Sequence, residues 1–261
     1  MLACSHEPLL AVRDVGVRFG GIVALDGISF ELGERQLLGL IGPNGAGKTT
    51  LFNCLSRLYT PAKGDIVFRG RSILATPPHR IVELGIGRTF QNLALFGRMS
   101  VIDNVRVGGH RQSRSDFLSD ALRLAWVARQ ERALDRIVWD VIDYLELREV
   151  AHQPVAELPF GRQKRVELAR ALAAKPKLLL LDEPAGGLNH NEVKDLGQLI
   201  QRIRDERDVT VLLVEHHMNL VMSICDTVVA LDFGRKIAEG APPAVQANAD
   251  VISAYLGTTA S

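Results

Sequence analysis

Cysteine is scarce. The chain has three in 261 residues, Cys4, Cys54 and Cys225, too few and too widely spaced for a disulfide framework or a metal cluster, which suits a reducing compartment. An excess of charge is also missing, since 31 basic and 30 acidic side chains leave a formal net charge of +1. Without a broad positive field, no nucleic-acid partner is expected. The six arginines between Arg111 and Arg136 are interleaved with four acidic residues at helical spacing and read as a solvated helix surface. Long apolar runs are lacking too: "LLLL" at 178–181 and "VTVLLV" at 209–214 are strand-length, far short of the roughly 18–20 residues of a membrane helix. "MLAC" leaves no room before Cys4 for a lipoprotein leader, and residues 1–8 read as a loose terminus.

What is present points to an α/β fold. At 47% hydrophobic content the chain can bury one large core or two modest ones. Residues 9–41 alternate apolar and polar positions between glycine-containing turns, which predicts antiparallel hairpins feeding one buried strand. A helix is expected over 48–58, and "GDIVFRG" reads as a short strand. From about 100 to 150 the apolar spacing becomes helical. Beyond Arg162 the pattern alternates: helix 162–174, strand 178–182, helix 191–204, strand 209–214, helix 217–224, strand 227–231. That alternation indicates a parallel sheet with helices on its faces.

"GPNGAGKTT" at 42–50 fits G-x-x-x-x-G-K-[ST] and sits where the motif must, after a buried strand and before a helix. Gly42, Gly45 and Gly47, with Pro43, Asn44 and Ala46 between them, let the backbone turn tightly enough to aim successive N–H groups at a triphosphate. The start of the helix, Lys48, Thr49 and Thr50, adds partial positive charge. Lys48 would balance the β- and γ-phosphates of ATP, and the Thr49 hydroxyl would hold Mg²⁺. A second half-site is expected in "LLLLDE" at 178–183, a strand buried on both faces that ends in two carboxylates. Asp182 would bind Mg²⁺ and Glu183 would take a proton from the attacking water. The structural alternative is a loop acid at the sheet edge, and the companion phosphate loop disfavours it.

With both motifs in place, the stretch from Leu158 to Pro184 resembles the signature region of ATP-binding-cassette (ABC) ATPases, and the likeness covers nearly the whole chain. It implies a P-loop NTPase of the ABC ATPase type: one domain over 1–261, with a mostly parallel RecA-like core, an antiparallel β subdomain and a helical subdomain inserted at about 92–165. It also implies that Phe19 stacks on adenine, unless it is an ordinary strand aromatic. Gln91, in "RTFQN", would reach Mg²⁺ and the nucleophilic water, and His216 would contact the γ-phosphate, with His217 a neighbouring candidate. Asn189, in "AGGLN", stands where many relatives have aspartate.

The usual L-S-G-G-Q signature is here Leu158, Pro159, Phe160, Gly161 and Arg162, followed by Gln163. In the family this segment completes the site of a partner chain. Pro159 offers neither hydroxyl nor N–H, while Gly161 and the first N–H groups of the helix can still face an anion. Within the family, "GRTFQNLALFGRMSVIDNV", "DEPAGGLN", "VEHHMNLVMSICD" and "ISAYLG" are similar to the ATPase subunits of branched-chain amino-acid importers. The resemblance implies a second ABC ATPase subunit of a different chain, two membrane permeases, an external solute-binding protein that acts indirectly, and a place on the cytoplasmic face of the membrane. Leu93, Leu95, Phe96 and Met99 are candidates for a permease groove or for internal packing. The alternatives are an importer of another small solute such as urea or an amide, a soluble cassette outside transport, and a scaffold that binds ATP without hydrolysing it.

Overall fold

A computed structural model describes residues 7–89, 94–109 and 125–256. The chain divides into two compact units, Met1–Ile86 with Leu178–Ser261, and Gly87–Lys177. Its strands run β1 (Leu10–Phe19), β2 (Ile22–Leu32), β3 (Leu37–Ile41), β4 (Lys63–Phe68), β5 (Arg71–Ser72), β6 (Ile86–Arg88), β7 (Leu178–Asp182), β8 (Thr210–Val214), β9 (Thr227–Asp232) and β10 (Arg235–Gly240).

The alternating opening forms an antiparallel sheet in the order β2-β1-β4-β5, with Leu10 opposite Leu32 and Phe19 opposite Ile22. Its alternation breaks near Asp14, where the register shifts and the backbone turns to φ +51°, and Ser29 Oγ accepts the Asp14 N–H at 2.8 Å. The second sheet has the order β10-β9-β3-β8-β7-β6. β3 lies parallel between β8 and β9, β7 lies parallel to β8, and β10 folds back antiparallel on β9. Every residue of β3, β7 and β8 is buried. Strands covered on both faces need no polar side, which is why they read as unbroken apolar runs.

Helix Lys48–Leu55 joins the two sheets: Leu51, Phe52 and Leu55 share one core cluster with Leu10, Ile28 and Ile66 from one sheet and Leu40, Leu180 and Leu212 from the other. Each such side chain contributes about 1.5–3 kcal/mol by leaving water. The helix stops at Leu55, short of the expected residue 58. Both the N–H and the hydroxyl of Ser56 turn back to the Phe52 carbonyl, at 3.0 and 2.7 Å, and Arg57 adopts φ +61°. Helices His190–Arg207 and Met218–Ile224 follow the expected alternation. After β10 the chain adds helices Pro242–Gln246 and Ala249–Leu256, for which the sequence pattern raised no expectation.

The second unit begins at residue 87 and runs to 177, beyond the expected end near 165, because helix Phe160–Ala173 belongs to it. That helix packs on Val101–Gly109 at closest range through Gly108, where a Cβ would lie 1.9 Å from the Arg170 carbonyl oxygen. Helix Ala125–Tyr144 packs on the same Val101–Gly109 element, where a Cβ on Gly109 would meet Leu134 Cδ1 at 2.5 Å. The dipeptide "GG" is therefore a packing device.

Asn104 is fully buried and holds the preceding loop. Its Oδ1 accepts the Phe96 N–H at 2.9 Å, while Nδ2 donates to the carbonyls of Phe96 at 3.1 Å and Ser100 at 3.0 Å. Arg170 donates from its guanidinium to the Ala94 carbonyl in the same segment. Phe96 is thereby held half exposed, with Leu95 and Met99 partly buried beside it; Leu93 lies outside the described residues. Asn104→Ala leaves those backbone groups without their side-chain partner, so stability should fall by about 2–4 kcal/mol. Urea denaturation of the variant against the wild-type chain measures that loss.

Candidate functional site

The phosphate loop leaves β3 at Gly42, which adopts φ +148° and passes so close to β9 that a Cβ would lie 2.2 Å from the Leu231 carbonyl oxygen. Gly45 and Gly47 also have positive φ, +83° and +100°. Left-handed backbone at Gly47 turns the chain into helix Lys48–Leu55, and positive-φ glycines ahead of a helix start are the backbone form that can turn N–H groups toward an anion. Lys48 is buried and donates to the carbonyls of Gly42 at 2.6 Å and Pro43 at 2.9 Å. Burial holds its ammonium below the ordinary lysine range, opposed by the charges of Glu183 and Asp182.

Those carboxylates close β7. Asp182 pairs in register with Val214 of β8 and is 2% exposed. The Glu183 N–H donates to the Val214 carbonyl at 2.9 Å, and its backbone takes the left-handed value φ +48°. A non-glycine residue held there costs of order 1–3 kcal/mol, and such residues cluster at functional sites. His216 follows β8, half exposed, with Nδ1 3.9 Å from Glu183 Oε2. The structure thus brings Lys48, Asp182, Glu183 and His216 to one edge of the parallel sheet.

Sequence reasoning missed the group that holds this edge together. Glu215 is fully buried. One carboxylate oxygen accepts the Ala185 N–H at 2.7 Å, and the other accepts the N–H groups of His216 at 3.1 Å and His217 at 3.3 Å and the Nδ1 of His217 at 3.0 Å. A carboxylate only accepts, so the His217 proton sits on Nδ1. The ring of His217 is thus clamped, while that of His216, its centroid 4.4 Å away, places Nδ1 between two carboxylates, 3.9 Å from Glu183 Oε2 and 3.9 Å from Glu215 Oε2. Glu215, His216 and His217 could each offer a metal ligand within 4.8 Å of the others, but the Glu215 oxygens are engaged by four donors and the trio reads as a hydrogen-bonded anchor. The only signal in the sequence was an acid at the end of an apolar strand.

The remaining expected residues divide by location. Phe19 closes β1, 46% exposed, with its ring edge-on to that of Tyr59, centroids 5.1 Å apart, a neighbour that the sequence pattern does not point to. Asn189 caps helix His190–Arg207: its Oδ1 accepts from Asn191 and Glu192 N–H groups at 3.0 and 3.1 Å, and Glu192 returns a bond to the Asn189 N–H at 2.9 Å. This capping box gives the asparagine a local role. In the second unit, the signature helix starts at Phe160, two residues before the expected Arg162. Pro159 (φ −54°) serves as N-cap, with Gln163 N–H donating to its carbonyl at 3.1 Å and Gln163 Nε2 to Leu158 O at 2.9 Å. Leu158 is buried, and Pro159, Phe160 and Arg162 are exposed. Gln91 lies outside the described residues.

Comparison with known proteins fits this geometry. A family model described as "ABC transporter" matches residues 25–186, and one described as "Branched-chain amino acid ATP-binding cassette transporter" matches 235–261. The chain is 42% identical over 251 residues to the high-affinity branched-chain amino acid transport ATP-binding protein BraF of Pseudomonas aeruginosa, covering 96% of this chain and 98% of that one. It is 44% identical over 253 residues to the corresponding protein LivG of Salmonella typhimurium, with the same coverage. Among solved structures, a nucleotide-free ATP-binding cassette from an ABC transporter superposes with a TM-score of 0.83 at 26% identity, covering 95% of this chain and 99% of that one. The ADP conformation of the cassette MJ1267 gives 0.82 at 27%, covering 96% and 99%. Likeness at this level, running through the phosphate loop, both carboxylates and the signature, means that the chain belongs to the ABC transporter family.

Proposed function

We propose that this chain binds and hydrolyses ATP to drive a membrane importer, and that the solute is a branched-chain amino acid. The observation that carries the ATPase reading is the convergence of Lys48, Asp182, Glu183 and His216 on one sheet edge, with His216 3.9 Å from Glu183. The solute reading rests on the end-to-end likeness to BraF and LivG and on the match over 235–261.

In this reading the ATP phosphates lie in the loop from Gly42 to Thr50, which Gly42 opens, with adenine against the exposed face of Phe19. The Thr49 hydroxyl and the buried Asp182 carboxylate are hard oxygen donors of the kind Mg²⁺ takes, and the ion would neutralise phosphate charge. Glu183, turned by its left-handed backbone, takes the proton of the attacking water. His216 faces the γ-phosphate, and Gln91 senses the same position. Glu215 sets the loops carrying Ala185 and His216 from one buried carboxylate, so it positions the histidine without touching substrate.

The signature from Leu158 to Gln163 serves a second ABC ATPase subunit, a different chain, whose own signature completes the site here. Pro159 makes the composite site on the partner the weaker of the two. Among the described residues no helix is long and apolar enough to cross a membrane. In this reading the chain sits on the cytoplasmic face through two permeases, with half-exposed Phe96 in the docking groove, and an external binding protein delivers the solute. Affinity purification from solubilised native membranes, followed by mass spectrometry, should recover two permeases and a second ABC ATPase; recovery with soluble partners only would overturn the transport assignment.

Two substitutions test the chemistry. Glu183→Gln should leave ATP binding intact while solute-stimulated hydrolysis by the assembled transporter falls about 10²- to 10⁴-fold; unchanged turnover would refute both its role as base and the unequal division between the two sites. Glu215→Gln must set an amide N–H₂ against one of four N–H donors. It should cost about 1.5–3 kcal/mol of stability and lower kcat more than it raises KM for ATP, as steady-state kinetics and urea denaturation would show.

A further inference from the structure

The last helix, Ala249–Leu256, reaches back to the phosphate loop. Asn248 caps it, accepting the Asp250 N–H at 2.8 Å, and Val251 buries against the same unit. Four residues further on, Tyr255 is partly buried and its Oη accepts the Gly42 N–H at 2.8 Å. Gly42 is therefore held at three points: its N–H by Tyr255, its carbonyl by Lys48 Nζ at 2.6 Å, and its Cα against the Leu231 carbonyl, where a Cβ would come within 2.2 Å. This is the residue at which β3 becomes the phosphate loop, so its peptide orientation sets the start of the loop and the direction of Lys48. Burial pushes the Tyr255 phenol above its ordinary range, against the opposing effect of the Gly42 bond, so the group stays neutral at physiological pH.

We infer that Tyr255 is a positioning residue of the ATP site, fixing the Gly42 peptide so that the phosphate loop is pre-set for nucleotide. The inference rests on the ATPase reading above, and it gives the C-terminal segment a role in that site. A pre-set loop spends less binding energy on ordering itself, so losing the hydroxyl acts on affinity more than on chemistry.

Tyr255→Phe keeps the ring and removes the hydroxyl that accepts the Gly42 N–H. In the full chain, the Kd for a non-hydrolysable ATP analogue with Mg²⁺ should rise about 2- to 12-fold, the range of one neutral hydrogen bond. KM for ATP should rise with it while kcat moves less, and the Gly42 amide should exchange faster with deuterium. Ile252→Ala, on the exposed side of the same helix, should leave affinity and Gly42 exchange unchanged. Unaltered affinity and exchange in Tyr255→Phe would overturn the inference, as would an equal loss in Ile252→Ala, which would assign the effect to the helix as a whole. Failure of the wild-type chain to bind the analogue would instead defeat the ATPase reading, and Gly42 exchange would still decide whether Tyr255 holds the loop.

Discussion

The parallel register of three buried strands underlies everything else at the site. Leu40 of β3 and Asp182 of β7 both stand opposite Val214 of β8, so the three strands end at one level. Gly42, Glu183 and His216 then leave the sheet side by side. A slip of one residue in any strand would displace its loop by about 3.3 Å along the strand direction, more than the tolerance of a hydrogen bond. Such a slip is opposed by burial on both faces, because each of these strands is wholly buried. The apolar runs that look featureless in the sequence are what bring the proposed catalytic groups level with one another.

The register sets position along the strand and leaves the loops free to turn, so their orientation needs polar anchors. Glu215 supplies one by offering two oxygens to four donors from two loops. A carboxylate taken wholly out of water is costly unless its lone pairs are engaged, and here the donors are backbone and ring N–H groups that would themselves need partners once buried. Each side of the arrangement removes the other's penalty. The same logic recurs in the second unit, where one buried amide, Asn104, satisfies both the N–H and the carbonyl of Phe96.

Most of the fold was legible because it depends on local pattern: alternation in the first hairpin, glycine spacing in the phosphate loop, and apolar runs ending in acids. The unread parts depend on contacts distant in sequence. Nothing around Glu215 says that Ala185 will approach it, and nothing in "ISAYLG" says that Tyr255 will meet Gly42 across 213 positions. Element ends failed for a local reason. Arg57 turns to the left-handed φ +61° just past the first helix, and Pro159 serves as N-cap of the signature helix, and in each case the local backbone set an end that the apolar spacing did not mark. Asn189 shows the converse: a residue noted for departing from a family pattern has a local role as the N-cap of its own helix, one that an aspartate would fill equally well.

Pro159 and Gly42 illustrate how differently two backbone specialities act. Pro159 is the N-cap of the signature helix, with φ −54° and extended ψ 147°, so its missing N–H lies ahead of the first turn and the N–H groups of Phe160, Gly161 and Arg162 stay on the helix. Gly42 gives up side-chain packing to adopt φ +148° against the Leu231 carbonyl, and a residue with so much backbone freedom is fixed only by what holds its N–H and C=O. Lys48 alone would fix one end of that residue and would leave it again on turning to a phosphate. An anchor on the N–H that lies outside the loop does not compete with nucleotide for the same donor and acceptor. On the inference drawn above, Tyr255 would hold the loop's starting point whether Lys48 stays on the Gly42 carbonyl or turns to a phosphate.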